Sequence, residues 1–491
     1  MRTHNALTQG RLFFLTEAQW LFATGAGLTV AGVLWSSYAN ISIWIGVAIF
    51  IMSLVIAHMI LSARYILPIP HLAILFAGLG YVIAPWLSIY FPSGDPEYSV
   101  LDVEVYFHYS GPLFLAITVG WALPFLPLGG QITKINWNMN PVPGLLPFFD
   151  LLIIGGSLLE LLVIFSPVEI PIAVRFVVHL LSKLRYVGLF GWMISRKSGW
   201  RMRMWLIWSL ELFLAVWFAL FLELALWTLC IVSFYAHLWT MKTHLFAGLV
   251  VTGAITLIGV QVAKTELRNV GWYGEEASIE VFGHEFVPSL SNKPFVWLGK
   301  VLQITVQLVT GQLDSQLLGE SLVRYNQGWI ISRIMSYVPI NEPYARGSTL
   351  VTAIKGAVLP RFVDVQKHRA GGAEYFDRFV GRPLVGNTSM NLGYAGEMYA
   401  NFGARGGIFG CGLYALFFSA GYVMMVKSAK KRPLVLAFIP YVFLWVALME
   451  VGISEVLNFT FKAWVLSLCF LWLAAALSAP TERKALIRPA T

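Results

Sequence analysis

The chain has 491 residues, 58% of them hydrophobic and only 12% charged, with a net charge of +9 and a mean hydropathy of +0.71. A soluble domain carries about a quarter charged residues, so a water-soluble globule is excluded. Backbone inside a bilayer must satisfy its own hydrogen bonds, which helices and closed barrels do. The apolar runs here are about 17 to 25 residues long without strict alternation, the length of helices crossing roughly 30 Å of hydrocarbon.

In chain order, the first apolar run begins near Ala18 and is long enough to span, which predicts a retained signal anchor and no cleaved leader. Spans are predicted at 19–37, 42–62, 69–91, 110–128, 147–166, 171–194, 204–220, 221–239, 244–263, 406–426, 434–450 and 462–478. The stretch 204–239 is about twice too long for one crossing, so it is divided near Phe221. Charge placement supports the division. The 92–109 connection carries Asp95, Glu97, Asp102 and Glu104 with no Lys or Arg, which puts it outside. Arg196, Lys197, Arg201 and Arg203 belong inside, as do Lys427, Lys430, Lys431 and Arg432, and then Arg483, Lys484 and Arg488. Twelve spans with cytoplasmic N- and C-termini satisfy all four placements.

The expected fold is therefore an all-α polytopic membrane protein of about 12 transmembrane helices with a large extracytoplasmic loop. Residues 1–263 form an N-terminal bundle, 264–405 the loop, and 406–491 the last spans with a short cytoplasmic tail. Within the loop, Trp297, Leu298, Val301, Leu302 and Ile304 have helical spacing, as do Trp329, Ile330, Ile331, Ile334 and Met335, and then Leu350, Val351, Ile354 and Val358. These predict short amphipathic helices on or just above the membrane surface.

Three constellations carry chemistry. Between 321 and 405 there are ten positive residues (Arg324, Arg333, Arg346, Lys355, Arg361, Lys367, Arg369, Arg378, Arg382 and Arg405) against five acids (Glu342, Asp364, Glu374, Asp377 and Glu397). The guanidinium fork grips phosphate bidentately. The segment reads either as a solvated basic face or as a pocket for an anionic, pyrophosphate-bearing substrate. Arg175, His179 and Lys183 stand at i, i+4 and i+8 within the sixth span, with Arg185 beyond. Intramembrane charges face a cavity or a partner. Glu160 is a candidate partner, Glu211 and Glu223 are open to the same reading, and Arg175 is placed to join the anion site. The last constellation is the run Gly386–Gly407. Its Gly403, Gly406, Gly407 and Gly410 suit close helix packing, and its Glu397 reads either as a counter-ion or as a general base. The three cysteines (Cys230, Cys411 and Cys469) sit in apolar runs and form no metal spacing. No P-loop, dinucleotide fingerprint, zinc motif or nucleophile elbow is present. No metal, cofactor or nucleic acid is expected.

Arg324-Tyr-Asn-Gln-Gly-Trp-Ile-Ile-Ser-Arg333, Val338-Pro339, Leu359-Pro360-Arg361-Phe362 and Gly396-Glu397-Met398-Tyr399-Ala400-Asn401-Phe402-Gly403, set in this topology, resemble the O-antigen polymerase family and related lipid-linked repeat-unit polymerases and ligases. The resemblance implies an inverting, metal-independent membrane glycosyltransferase acting on glycans carried by polyprenyl pyrophosphate. Its partners would be that glycan, membrane lipid and other envelope-polysaccharide assembly proteins. Arg324, Arg333, Arg361 and Arg382 are the expected pyrophosphate site, with Arg175 and Lys367 assisting. Tyr399 and Asn401 are expected to contact substrate, and Glu397 to act as base. A ligase, a flippase for an anionic lipid-linked glycan, and a non-catalytic assembly subunit are the competing readings.

Overall fold

The computed structural model describes residues 43–62, 67–125, 145–166, 171–218, 221–238, 243–273, 279–286, 293–359, 372–384 and 390–477. The predicted first span, 19–37, lies outside them. In chain order the elements are α1 (Ile43–Ser62), α2 (Ile69–Gly78), a π-turn (Leu79–Ile83), α3 (Ala84–Tyr90), α4 (Val103–Ala122), α5 (Leu146–Phe165), α6 (Ile172–Ser182), α7 (Leu184–Ile194), α8 (Trp200–Phe218), α9 (Phe221–Leu238) and α10 (Thr243–Tyr273). The hairpin β1 (Ile279–Val281) and β2 (His284–Phe286) follows. Then come α11 (Lys293–Thr310), α12 (Ser315–Val323), α13 (Gly328–Tyr337), α14 (Ser348–Val358), α15 (Ala373–Val380), α16 (Gly393–Lys431), α17 (Val435–Phe443) and α18 (Ile453–Leu477). Among the described residues, seven helical stretches are long and apolar enough to cross a membrane. The protein is an all-α membrane protein.

The chain forms two compact units. One holds 1–129, 322–420 and 446–457, and the other holds 130–321, 421–445 and 458–491.

In the first unit, Pro85 organises the packing. It has no N–H, so the carbonyls about one turn before it lose their helical donor. The Gly80 carbonyl accepts instead from the Gln327 N–H at 3.1 Å, and the Tyr81 carbonyl from the Tyr106 hydroxyl at 2.7 Å. The π-turn at Leu79–Ile83 is where this helix departs from α geometry. Asn326 completes the junction: its Nδ2 donates to Ser88 Oγ at 3.0 Å and its Oδ1 caps the Gly328 N–H at 2.9 Å. A Cβ on Gly328 would stand 2.8 Å from Pro85, so only glycine permits this approach. The Asn-Gln-Gly of the quoted motif is thus a docking element for α13.

In the second unit, α5 and α7 cross closely at glycines. A Cβ on Gly156 would lie 2.6 Å from the Ser182 carbonyl, and one on Gly188 2.5 Å from the Phe149 carbonyl. Small residues do this between membrane helices. The opposite side of α5 exposes Leu151, Ile154, Leu158 and Leu162, an apolar stripe suited to lipid. Asp150 receives Arg203 through Nε at 2.5 Å and Nη2 at 2.7 Å.

Several boundaries differ from the sequence reading. The predicted 171–194 span is present as one apolar stretch, Val174–Ile194, interrupted by a single-residue turn at Lys183. The 110–128 span starts earlier, at Val103, where the Asp102 carboxylate caps Val105. The last two long helices begin well before their predicted starts, at Gly393 and Ile453. All three amphipathic stretches of the loop are helices. The first of them, α11, packs along α10, with Trp297 and Ile304 against Val260, Val262 and Ala263.

Candidate functional site

The site is built on the first unit, where α13, α14, α15 and the start of α16 meet. Gly403 sits at φ 68, ψ −169 and breaks α16. That region is open essentially to glycine alone. The break releases the carbonyls of Ala400 and Asn401, which a continuous helix would have bonded to the N–H groups four residues on. They accept from the Ala345 N–H at 3.0 Å and the Arg346 N–H at 3.1 Å.

The Asn401 side chain, 1% exposed, ties the same turn down. Its Oδ1 accepts from the Gly347 N–H at 2.8 Å. Its Nδ2 donates to Thr349 Oγ1 at 2.7 Å and to the Glu397 carbonyl at 2.8 Å. Its amide oxygen and both amide hydrogens are therefore engaged inside the protein.

Glu397, one turn earlier and 2% exposed, is held asymmetrically. Its Oε2 accepts from the Ile453 N–H at 3.1 Å, at the start of α18, and the Thr349 hydroxyl also bonds the carboxyl. Its Oε1 has no hydrogen-bond partner. It lies on a narrow cleft with Gly372, Tyr375, Asn391, Ser454 and Glu455. Burial pushes the Tyr375 hydroxyl up to about 12, with the Glu397 and Glu374 carboxylates adding to the effect. Among the described residues the loop arginines pair with Glu450, Glu342 and Glu97, and none pairs with Glu397. Tyr399 is buried, its ring edge-on to Tyr109 at 5.2 Å.

Two of the expected pyrophosphate ligands come together. Arg333 donates to the Glu97 carbonyl through Nη2 at 2.5 Å and Nε at 3.1 Å. Arg382 Nη1 reaches Glu97 Oε2 at 2.6 Å. Burial and then the facing Arg382 cation pull Arg333 below the ordinary guanidinium range, against Glu97 and Asp95. Trp329, one turn before Arg333, is buried and meets Tyr98, next to Glu97, edge-on at 5.1 Å and Phe376 at 6.1 Å. Arg382 and Glu97 are 45% and 56% exposed, so an anion can displace this carboxylate without opening the core.

The remaining expected residues are dispersed. Arg324 is exposed and pairs with Glu450 at 3.0 Å. Arg361 and Lys367 lie outside the described residues. Arg175 is exposed on α6 in the second unit while Lys183, two turns on, is buried, so the predicted common face is split by the break at Lys183. Glu97 and Trp329 were not singled out as site residues. The acidic 92–109 connection served only to assign a side, although its carboxylates were the available counter-charges for the loop arginines.

Comparison with known protein families, curated proteins and solved structures gives no match, so the functional reading rests on the residues themselves.

Proposed function

We propose that the protein is an integral-membrane glycosyltransferase that polymerises polyprenyl-pyrophosphate-linked oligosaccharide repeat units into a cell-surface polysaccharide. It acts from a twelve-span fold with both termini in the cytoplasm. The observation that carries the reading is the convergence of Arg333 and Arg382 on one residue, Glu97, the first at its backbone carbonyl and the second at its exposed carboxylate. Two guanidiniums so placed suit a diphosphate. The contact between the 92–101 connection and α13, seen also where the Leu101 N–H meets Ser332 Oγ at 3.0 Å, agrees with both segments lying outside.

In the proposed reaction an acceptor hydroxyl attacks the anomeric carbon of the donor glycan. The new glycosidic C–O bond forms as the bond to pyrophosphate breaks, with inversion. The hydroxyl proton passes to Glu397 Oε1, and the charge developing on the departing polyprenyl pyrophosphate falls to Arg333 and Arg382. Preorganised cations of this kind supply transition-state stabilisation without reorganising as the charge moves.

The test is glycan chain length in membranes carrying Arg333→Ala or Arg382→Ala, with Arg432→Ala as control. Loss of polymer in the first two alone supports the reading, and wild-type polymer in both overturns it. Glu397→Gln separates the roles of the carboxyl: retained binding with lost turnover marks the base, and unchanged turnover removes it.

A further inference from the structure

The second unit contains a chain of charges that the proposed chemistry does not use. From Glu223 the contacts run to Lys183 Nζ at 2.5 Å, from Lys183 to Glu160 at 3.3 Å, from Glu160 to Arg185 Nη1 at 3.0 Å, and from Arg185 Nη2 to Glu211. The order is acid, base, acid, base, acid, with an acid at each end. Lys183 and Arg185 are 1% and 0% exposed, Glu211 and Glu160 are 7% and 13% exposed, and Glu223 is 28% exposed.

Three carboxylates bonded to two cations leave one negative charge without compensation. An uncompensated charge among apolar helices costs several kcal/mol even after relaxation, and such groups usually change protonation instead. Among the described residues, the ion pairs of these three carboxylates are with Lys183 and Arg185. From α6, His179 lies among Lys183, Glu223, Glu160 and Arg185 and edge-on to Trp445. From α7 comes the Tyr186 hydroxyl, from α9 the Trp227 Nε1 donor to Glu223 at 3.3 Å, and from α17 the Tyr441 hydroxyl, which is bound to the Leu180 carbonyl at 3.0 Å. Lys462 of α18 is held by Asn458 and lies over the Phe176 ring at 4.7 Å. Asp150 of α5 and Arg203 of α8 satisfy each other.

We infer that this cluster is a proton-binding site, holding one exchangeable proton at its Glu223 end, on the Glu223 carboxyl or shared with His179. Glu223 is the most accessible of the three acids and relies on Lys183, which it shares with Glu160, whereas Glu160 has two cations and the Ser182 hydroxyl. Arg185 Nε is buried with no hydrogen-bond partner, and the Tyr186 hydroxyl bonds Glu211. Arg185 Nε gives the network a spare donor with which to rearrange when the proton comes or goes. The inference is independent of the glycosyltransferase reading.

The test is an infrared pH titration of the full-length protein in lipid nanodiscs, in sodium-free and sodium-containing buffer. One carboxyl per chain is expected to titrate in a band that persists in Glu342→Gln and is lost in Glu223→Gln. If Glu223→Gln fails to fold, His179→Gln serves, and its midpoint must move from that of the wild type. The inference falls if no such band titrates, if the band survives Glu223→Gln, if the His179→Gln midpoint stays put, or if sodium displaces the midpoint, which would assign the site to an alkali cation.

Discussion

Replacing Asn401 by alanine removes three hydrogen bonds from the turn that holds Glu397. It leaves the Gly347 N–H, the Glu397 carbonyl and the Thr349 hydroxyl without their amide partner. Thr349 is 2% exposed, so water does not substitute freely. A buried group left unsatisfied costs about 1–3 kcal/mol. With Gly347 only partly buried, the total is roughly 2–4 kcal/mol. Asn401→Asp keeps the acceptor for Gly347 and loses both amide donors, so it separates the two halves of the interaction. Hydrogen exchange through 345–352 reads the effect locally, and thermal unfolding in detergent reads it globally. The Gly347 amide should exchange faster in the alanine variant and stay protected in the aspartate variant. A double cycle with Thr349→Val should show coupling of about 0.5–3 kcal/mol, as for directly bonded groups. Wild-type exchange at Gly347 in Asn401→Ala, together with an unchanged melting temperature, would refute the reasoning.

Other expectations follow from the same geometry. Glu97→Gln removes the carboxylate that competes for Arg382, so inorganic pyrophosphate should bind more tightly to this variant by calorimetry. Its stability should change by less than about 1 kcal/mol, as for exposed pairs. Gly403→Ala forces a side chain into a glycine-only region and should cost about 1–3 kcal/mol in the thermal-unfolding assay. Arg185→Met strands Glu211 and takes one of two cations from Glu160, and should cost about 3–5 kcal/mol. Adding Glu211→Gln to it should restore part of that loss, and failure to do so would count against a network carried by Arg185.

The all-α membrane character was legible because lipid demands long apolar runs, and seven helices of that kind are present among the described residues. The break at Lys183 was not legible. The apolar run continues through it, and only the docking of Lys183 and Arg185 onto Glu160 accounts for it. Glu160 itself was identifiable as a partner, since an intramembrane acid beside intramembrane bases has few other options. The site was half legible. Counting arginines located the basic segment, but Arg333 meets a carbonyl 236 residues away, and no local pattern encodes that pairing. Among the glycines near the start of α16, sequence favoured a packing role. Only the backbone angles of Gly403, φ 68 and ψ −169, pick out the one that bends.

The turn before Pro85 has a mechanical corollary. The residues at Leu79–Ile83 form a widened coil, and each residue of an α-helix advances the azimuth by about 100°. Excising a single amino acid there would straighten the rod while swinging everything beyond it through more than a quarter revolution. Gln327 would face the wrong carbonyl, Tyr106 would lose its acceptor, and the arginine-bearing segment would be unseated from a distance. Length at this spot is therefore more tightly constrained than chemical identity, and a series of one-residue deletions and insertions would show it as an abrupt loss of folding.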